Sequence, residues 1–273
     1  MSYEIIIEPG KLGFQYWKDL WRFRGFLMFL SWRDFLVRYK QTVLGVAWNF
    51  IRPFVSMVVL TMVFGKMAKL PSEGSVPYPI LVYAGLLPWN FFTTSITQST
   101  NSMISNVPLI SKVYFPKIII PISSAIVCLV DFCFSFFIFA LIMLWYLFIP
   151  SWKIIFLPAL LFLTMLLALG IGFFLGALNV KHRDVTISIP YLLQLGMFIS
   201  PVGFSSKIAT MKWRYIYSLN PMVGIIDGFR WSIGTNVEMY WSSLIISIAI
   251  TLAFFFFGLW YFRNAERIFA DLI

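Results

Sequence analysis

IIIPISSAIVCLVDFCFSFFIFALIMLWYLF, residues 118–148, carries a single formal charge, Asp131. A hydrocarbon core of about 30 Å needs roughly 20 apolar residues in helix, so this run is long enough to cross a bilayer. The surrounding chain has the same character. Of 273 residues, 60% are hydrophobic, 19% aromatic and only 12% charged, and the mean hydropathy is +0.85. A soluble domain carries roughly one quarter charged residues. So few charges cannot cover a water-facing surface, and the solvent is therefore largely lipid.

Further runs of this kind bring the total to six, at 43–65, 79–103, 118–148, 154–179, 186–204 and 241–262. The expected fold is an all-α integral membrane protein with six transmembrane helices. Residues 1–42 form a cytoplasmic N-terminal segment, 43–262 the transmembrane domain and 263–273 a cytoplasmic tail. Glu4 and Glu8 stand where a secretory signal needs positive charge, so no cleaved leader is expected. The formal charge of +10 suits a membrane protein whose basic residues gather on the cytoplasmic side. Lys11, Lys18, Arg22, Arg24, Arg33, Arg38, Lys40, Lys112, Lys117, Lys181, Arg183, Arg263 and Arg267 share one predicted side. The other side has about half as many, which places both termini in the cytoplasm.

Before the first span, Phe14, Trp17 and Trp21 fall at i, i+3 and i+7, opposite Gln15, Lys18, Asp19 and Arg22. Such an amphipathic helix lies in the interface with its tryptophans at headgroup depth. The second span changes character midway: from Thr93 to Asn106, eleven of fourteen residues are Ser, Thr, Asn or Gln. Lipid cannot satisfy so many donors and acceptors. A water-accessible path and helix–helix packing both fit. Arg52 and Asp131 lie at membrane depth, where an isolated charge is costly. They pair with each other, or Arg52 sits in a wet vestibule while Asp131 bonds neighbouring helices. Gly172 and Gly176, with Ala168 one turn earlier, allow close helix approach. Between spans five and six, Trp213, Tyr215, Tyr217, Pro221, Phe229 and Trp231 occupy a loop too long to be a plain connector. Short re-entrant or interfacial helices on the external face are expected there, for instance from Met222 to Ile226.

Catalytic chemistry is missing. His182 is the lone histidine, and Cys128 and Cys133 lie in an apolar run, so no metal site of ordinary kind is expected. The acidic residues form no close pair suited to glycosyl transfer. No phosphate-binding G-x-x-x-x-G-K-[ST] loop occurs, since Gly10-Lys11 and Gly65-Lys66 are followed by Leu12 and Met67. If the chain moves something uphill, the energy enters from another subunit.

Five strings carry a resemblance: RDFLVRYKQTVLGVAWNFIRP (33–53), PYPILVYAGLLPWNFF (77–92), NVPLISKVYFPKIIIPIS (106–123), GALNVKHRDV (176–185) and YSLNPMVGIIDGFRW (217–231). In this order they resemble the permease subunit of polysaccharide ABC exporters, the Wzm-type family of O-antigen, capsule and teichoic-acid transporters, and the O-antigen branch most closely. The resemblance implies a homodimer in the bacterial inner membrane, with two ATPase subunits that bind ATP and magnesium on the cytoplasmic face. It also implies a channel that threads an undecaprenyl-diphosphate-linked glycan. The permease itself needs no cofactor.

On that pattern Phe14, Trp17, Trp21, Arg22 and Arg24 form a gate at the lipid-headgroup entrance, where Arg22 and Arg24 attract the lipid diphosphate or ordinary anionic headgroups. ATPase coupling falls to Arg33, Asp34, Arg38, Tyr39 and Lys40, and to the loop residues Asn106, Leu109, Ile110, Lys112, Val113, Tyr114 and Phe115. Trp48, Arg52, Trp89, Phe91, Tyr191 and Phe198 are candidates for the channel wall, where sugar C–H faces pack on rings. Tyr215, Tyr217 and Phe229 are candidates for the external gate. Three competitors have less behind them: a permease for a drug, lipid or other small cargo, a membrane enzyme lacking any visible constellation, and a channel or secondary transporter.

Overall fold

A computed structural model describes residues 18, 20–40, 45–182, 184–208, 211–266 and 269, and among these every regular element is helical. Helix α1 is Arg24–Lys40 and α2 is Gly45–Leu60, which continues as a π-helical turn, Thr61–Met67. There follow α3 (Tyr78–Ser105), the one-turn α4 (Val107–Ile110) and α5 (Ile119–Trp145). A 3-10 turn, Trp152–Phe156, leads into α6 (Leu157–Lys181), and α7 is Asp184–Ile199. The last three helices are α8 (Met211–Ser218), α9 (Pro221–Ile233) and α10 (Trp241–Glu266).

Among the described residues, four segments are long and apolar enough to cross a membrane: Phe50–Met67, Ile119–Trp145, Trp152–Lys181 and Trp241–Glu266. The chain is thus a multi-pass membrane protein. The other two expected spans coincide with helices of different character. Helix α3 has 28 residues, ample length at 1.5 Å per residue, but its second half is the polar stretch. Helix α7 has only 16 residues, about 24 Å of helix.

Short approaches hold the bundle together. A β-carbon added to Gly258 on α10 would lie 1.9 Å from the Gly170 carbonyl oxygen on α6, and one on Gly170 would lie 2.6 Å from the Phe255 backbone. Only glycine permits these two helices to touch backbone to backbone. Gly172 packs on a side chain instead: a β-carbon added there would lie 2.8 Å from the Ser99 β-carbon on α3. Sequence spacing marks Gly172 and Gly176 but gives no sign of the Gly170–Gly258 contact.

Side chains sort into two apolar clusters. The larger runs through α3, α5, α6 and α9, with Tyr83, Phe139, Ile226 and Phe229 fully buried. Tyr83 and Phe139 stack at 5.4 Å. The second joins Leu30 of α1 to Met103, Phe115, Ile118, Phe173 and Phe262. Each cluster marks one end of the bundle, and the chain alternates between the ends. The end of α3, the start of α5 and the end of α10 meet at the α1 end. The loops around 68–77 and 200–208 meet α9 at the other.

Candidate functional site

Helix α9 forms because Asn220 caps it, its side-chain oxygen accepting from the Met222 N–H at 3.0 Å, with Pro221 in the first turn. It runs on past Asp227 to Ile233, beyond the Met222–Ile226 stretch that the sequence picks out. Charge ends a helix on an apolar face only when it lacks partners, and here both charges have them. Arg230 donates to three carbonyls, Leu81 at 3.2 Å, Phe204 at 2.8 Å and Val202 at 3.0 Å. Its Nη1 also lies 3.9 Å from the buried Glu73 carboxylate, which accepts a short hydrogen bond from the Ser205 hydroxyl. Asp227 accepts from Ser206 at 2.6 Å, and its second oxygen has no protein partner. Burial lifts the Asp227 carboxyl to about 6, against the opposing pull of Ser206 and Arg230. This cluster pins α9 to the start of α3 and to the 202–206 loop.

Helices α2, α3 and α5, with Arg38 of α1, line an open cavity of about 310 Å³. Arg38, Trp48, Arg52, Ser56, Asn90, Phe91, Thr93, Thr94, Asp131 and Ser135 line it. Asp131 bonds Arg38 at 2.6 Å and accepts a short hydrogen bond from the Tyr39 hydroxyl. Arg52 lies over the Trp48 ring, 5.7 Å from its centroid. So Asp131 pairs with Arg38 and not with Arg52, although all three share one cavity. The polar half of α3 divides by face. Thr93 and Thr94 line the cavity, whereas the Thr100 carbonyl accepts from Asn179 at 3.2 Å and Asn101 from Thr186 at 3.1 Å.

At the α1 end, Arg33 bonds Asp34 beside it and reaches Asn106 Oδ1, each at 2.6 Å. The Phe26 and Phe115 rings meet at 4.8 Å. These two contacts join α1 to the 106–116 loop, and Lys117 N–H donates to Glu266 at 2.8 Å, adding the end of α10. From this loop Lys112, Val113 and Tyr114 are exposed, whereas Leu109 and Ile110 are half-buried against the second cluster.

The remaining sequence candidates divide by burial. Phe115 is buried, because its ring closes the contact to α1, and offers no free anchor to a partner. Arg38 and Tyr39 turn inward to Asp131, leaving Lys40 exposed. Phe229 is fully buried in the larger cluster and Trp89 nearly so, where the latter meets Gly196. Phe91 is buried yet borders the cavity, and Tyr217 is half-buried. Trp48, Tyr191, Phe198 and Tyr215 are exposed. Trp21, Arg22 and Arg24 are exposed too, with Arg24 over the Trp21 ring at 5.1 Å. Phe14 and Trp17 lie outside the described residues. Sequence reasoning missed the roles of Glu73, Ser205, Asp227 and Arg230. A charged pair inside the apolar string 221–233 was the available signal.

Residues 26–234 match the family model described as ABC-2 type transporter. The chain is 28% identical over 215 residues to the O-antigen export system permease protein RfbA of Myxococcus xanthus, covering 78% of this chain and 82% of that protein. A protein of the same name from Klebsiella pneumoniae is 25% identical over 259 residues, 90% of this chain and 94% of its own. Another from Klebsiella pneumoniae is 26% identical over 209 residues, 75% and 78% respectively. With four apolar spans, no phosphate-binding loop, and a family match over three quarters of its length, this chain belongs to the ABC-2 type transporter family.

Proposed function

We propose that this chain is the membrane-spanning permease of an ATP-driven exporter whose cargo is a lipid-linked polysaccharide, O-antigen. The observation that carries the cargo is the similarity, over most of both chains, to three proteins named as O-antigen export permeases. The exporter works as a homodimer in the bacterial inner membrane, both termini cytoplasmic, with undecaprenyl diphosphate carrying the glycan. Helices α3 and α7 complete six spans: α3 on its length, and α7 with the bend at 200–204 extending its 16 residues. Helices α8 and α9 re-enter the membrane from the outside without crossing it.

Two ATPase subunits, binding ATP and magnesium, dock at the α1 end. The support for this is physical. Arg33–Asn106 and Phe26–Phe115 tie α1 to the 106–116 loop, so a push on the exposed Lys112–Tyr114 tip moves α1 as well. A packed element of this kind transmits a rigid-body shift.

The test is co-purification with whatever ATPase is encoded beside this chain, followed by ATP hydrolysis. The wild-type pair is expected to form a stable complex that hydrolyses ATP. The double variant Lys112→Ala/Tyr114→Ala is expected to lose assembly or stimulation. A chain that purifies alone and recruits no ATPase would end the exporter reading.

A further inference from the structure

We infer that the cavity between α2, α3 and α5 binds a lipid-borne phosphate group through Arg52. The exporter reading enters only in naming one of the two sources of that phosphate.

Arginine at membrane depth calls for a partner or water. For Arg38 the partner is Asp131, at 2.6 Å. Arg52 lines the same cavity, and among the described residues no carboxylate lies within ion-pair distance of it. Trp48 offers its ring face at 5.7 Å, which attracts a cation without neutralising it. Among the described residues that line the cavity, two guanidinium groups stand against one carboxylate, a formal excess of one positive charge.

That excess selects an anion. The guanidinium fork matches phosphate geometry with paired N–H donors, and the side chains of Asn90 and Thr94, which line the same cavity, add neutral donors. The volume of about 310 Å³ falls at the lower end of the range of small-molecule sites, about 300–1,000 Å³, which is room for a diphosphate headgroup. The lipid attachment follows from the neighbours of Arg52. Ile51, Phe54 and Val55 on the same helix are exposed and apolar, so a hydrocarbon tail can lie along α2 while its phosphate occupies the cavity. Two sources supply this chemistry: the diphosphate of a polyprenyl-linked cargo, and the headgroup of an anionic phospholipid.

The experiment is binding to the full chain in nanodiscs of phosphatidylcholine, titrated with a polyprenyl diphosphate in one arm and phosphatidylglycerol in the other. The variants are Arg52→Gln and Arg52→Lys. Lys153→Gln serves as control, since it removes another cation lying over a tryptophan, Trp231, at 5.1 Å. Arg52→Gln is expected to weaken binding about tenfold or more, as loss of charge-assisted hydrogen bonds does. Arg52→Lys restores most of the affinity and Lys153→Gln changes nothing, all with unaltered melting temperature. Arg52-dependent binding in the first arm supports the inference and names the cargo as source, while the same dependence confined to the second arm supports it with the headgroup as source. Affinities in both arms that are unchanged by Arg52→Gln, or no binding by the wild type, overturn it. The exporter reading is judged separately, by ATPase recruitment, so either can fail alone.

Discussion

Asp131 is the one formal charge in a 31-residue apolar run, and the fold resolves it with a cation from another helix. Its bond to Arg38 is partly shielded, the two side chains being 16% and 29% exposed. Removing one partner leaves the other charge poorly solvated. Asp131→Asn is expected to destabilise the protein by about 1–3 kcal/mol, less than a fully buried pair would cost. Arg38→Gln added to it should recover part of that loss, measured as non-additivity in thermal melts. Asp227 behaves differently. Its carboxyl, raised by burial to about 6, lies above the ordinary aspartate value of about 3.9, so the folded protein binds that proton more tightly than the unfolded chain. The contribution is fully present below about pH 4 and is lost as pH rises through 6. Asp227→Asn, which keeps an acceptor for Ser206, is therefore expected to raise the melting temperature at pH 8. The gain should shrink by about 1 kcal/mol at pH 5, read from melts at the two pH values.

Among the elements, the α6–α10 contact admits the least change. A methyl on Gly258 meets a backbone oxygen and no flexible side chain can yield, so Gly258→Ala is expected to cost about 1–3 kcal/mol. At the α1 end, Arg33→Ala breaks the link to Asn106. We expect the complex with its ATPase to assemble but to show weakened coupling, seen as ATP hydrolysis that no longer supports export. Unchanged export would show that α1 and the loop move independently. The sequence made the apolar helices legible, because length and hydropathy alone decide them. It left α9 half-read, since Asp227 and Arg230 look like a boundary until the carbonyls of Leu81, Val202 and Phe204 are known to surround the guanidinium. Gly170 and Gly258 escaped for a related reason: one helix's small residues do not say which helix they face.

For the whole molecule, the residues proposed for coupling stand in the sequence as two separate strings, 33–41 and 106–116, with no sign that the fold joins Arg33 to Asn106. That joining depends on Arg33 and Phe115 reaching across more than seventy residues of chain. The cavity was legible only as two misplaced charges, and which arginine took Asp131 could not be read from spacing. The central claim is that this chain carries lipid-linked O-antigen across the inner membrane. It is tested most directly in cells lacking the chain, by measuring surface O-antigen together with the glycan accumulated on its lipid carrier inside. Wild-type chain is expected to restore the surface glycan and clear the internal pool, and Lys112→Ala/Tyr114→Ala to do neither. Full surface O-antigen in cells without the chain, or an internal pool that the wild type leaves untouched, would contradict the claim.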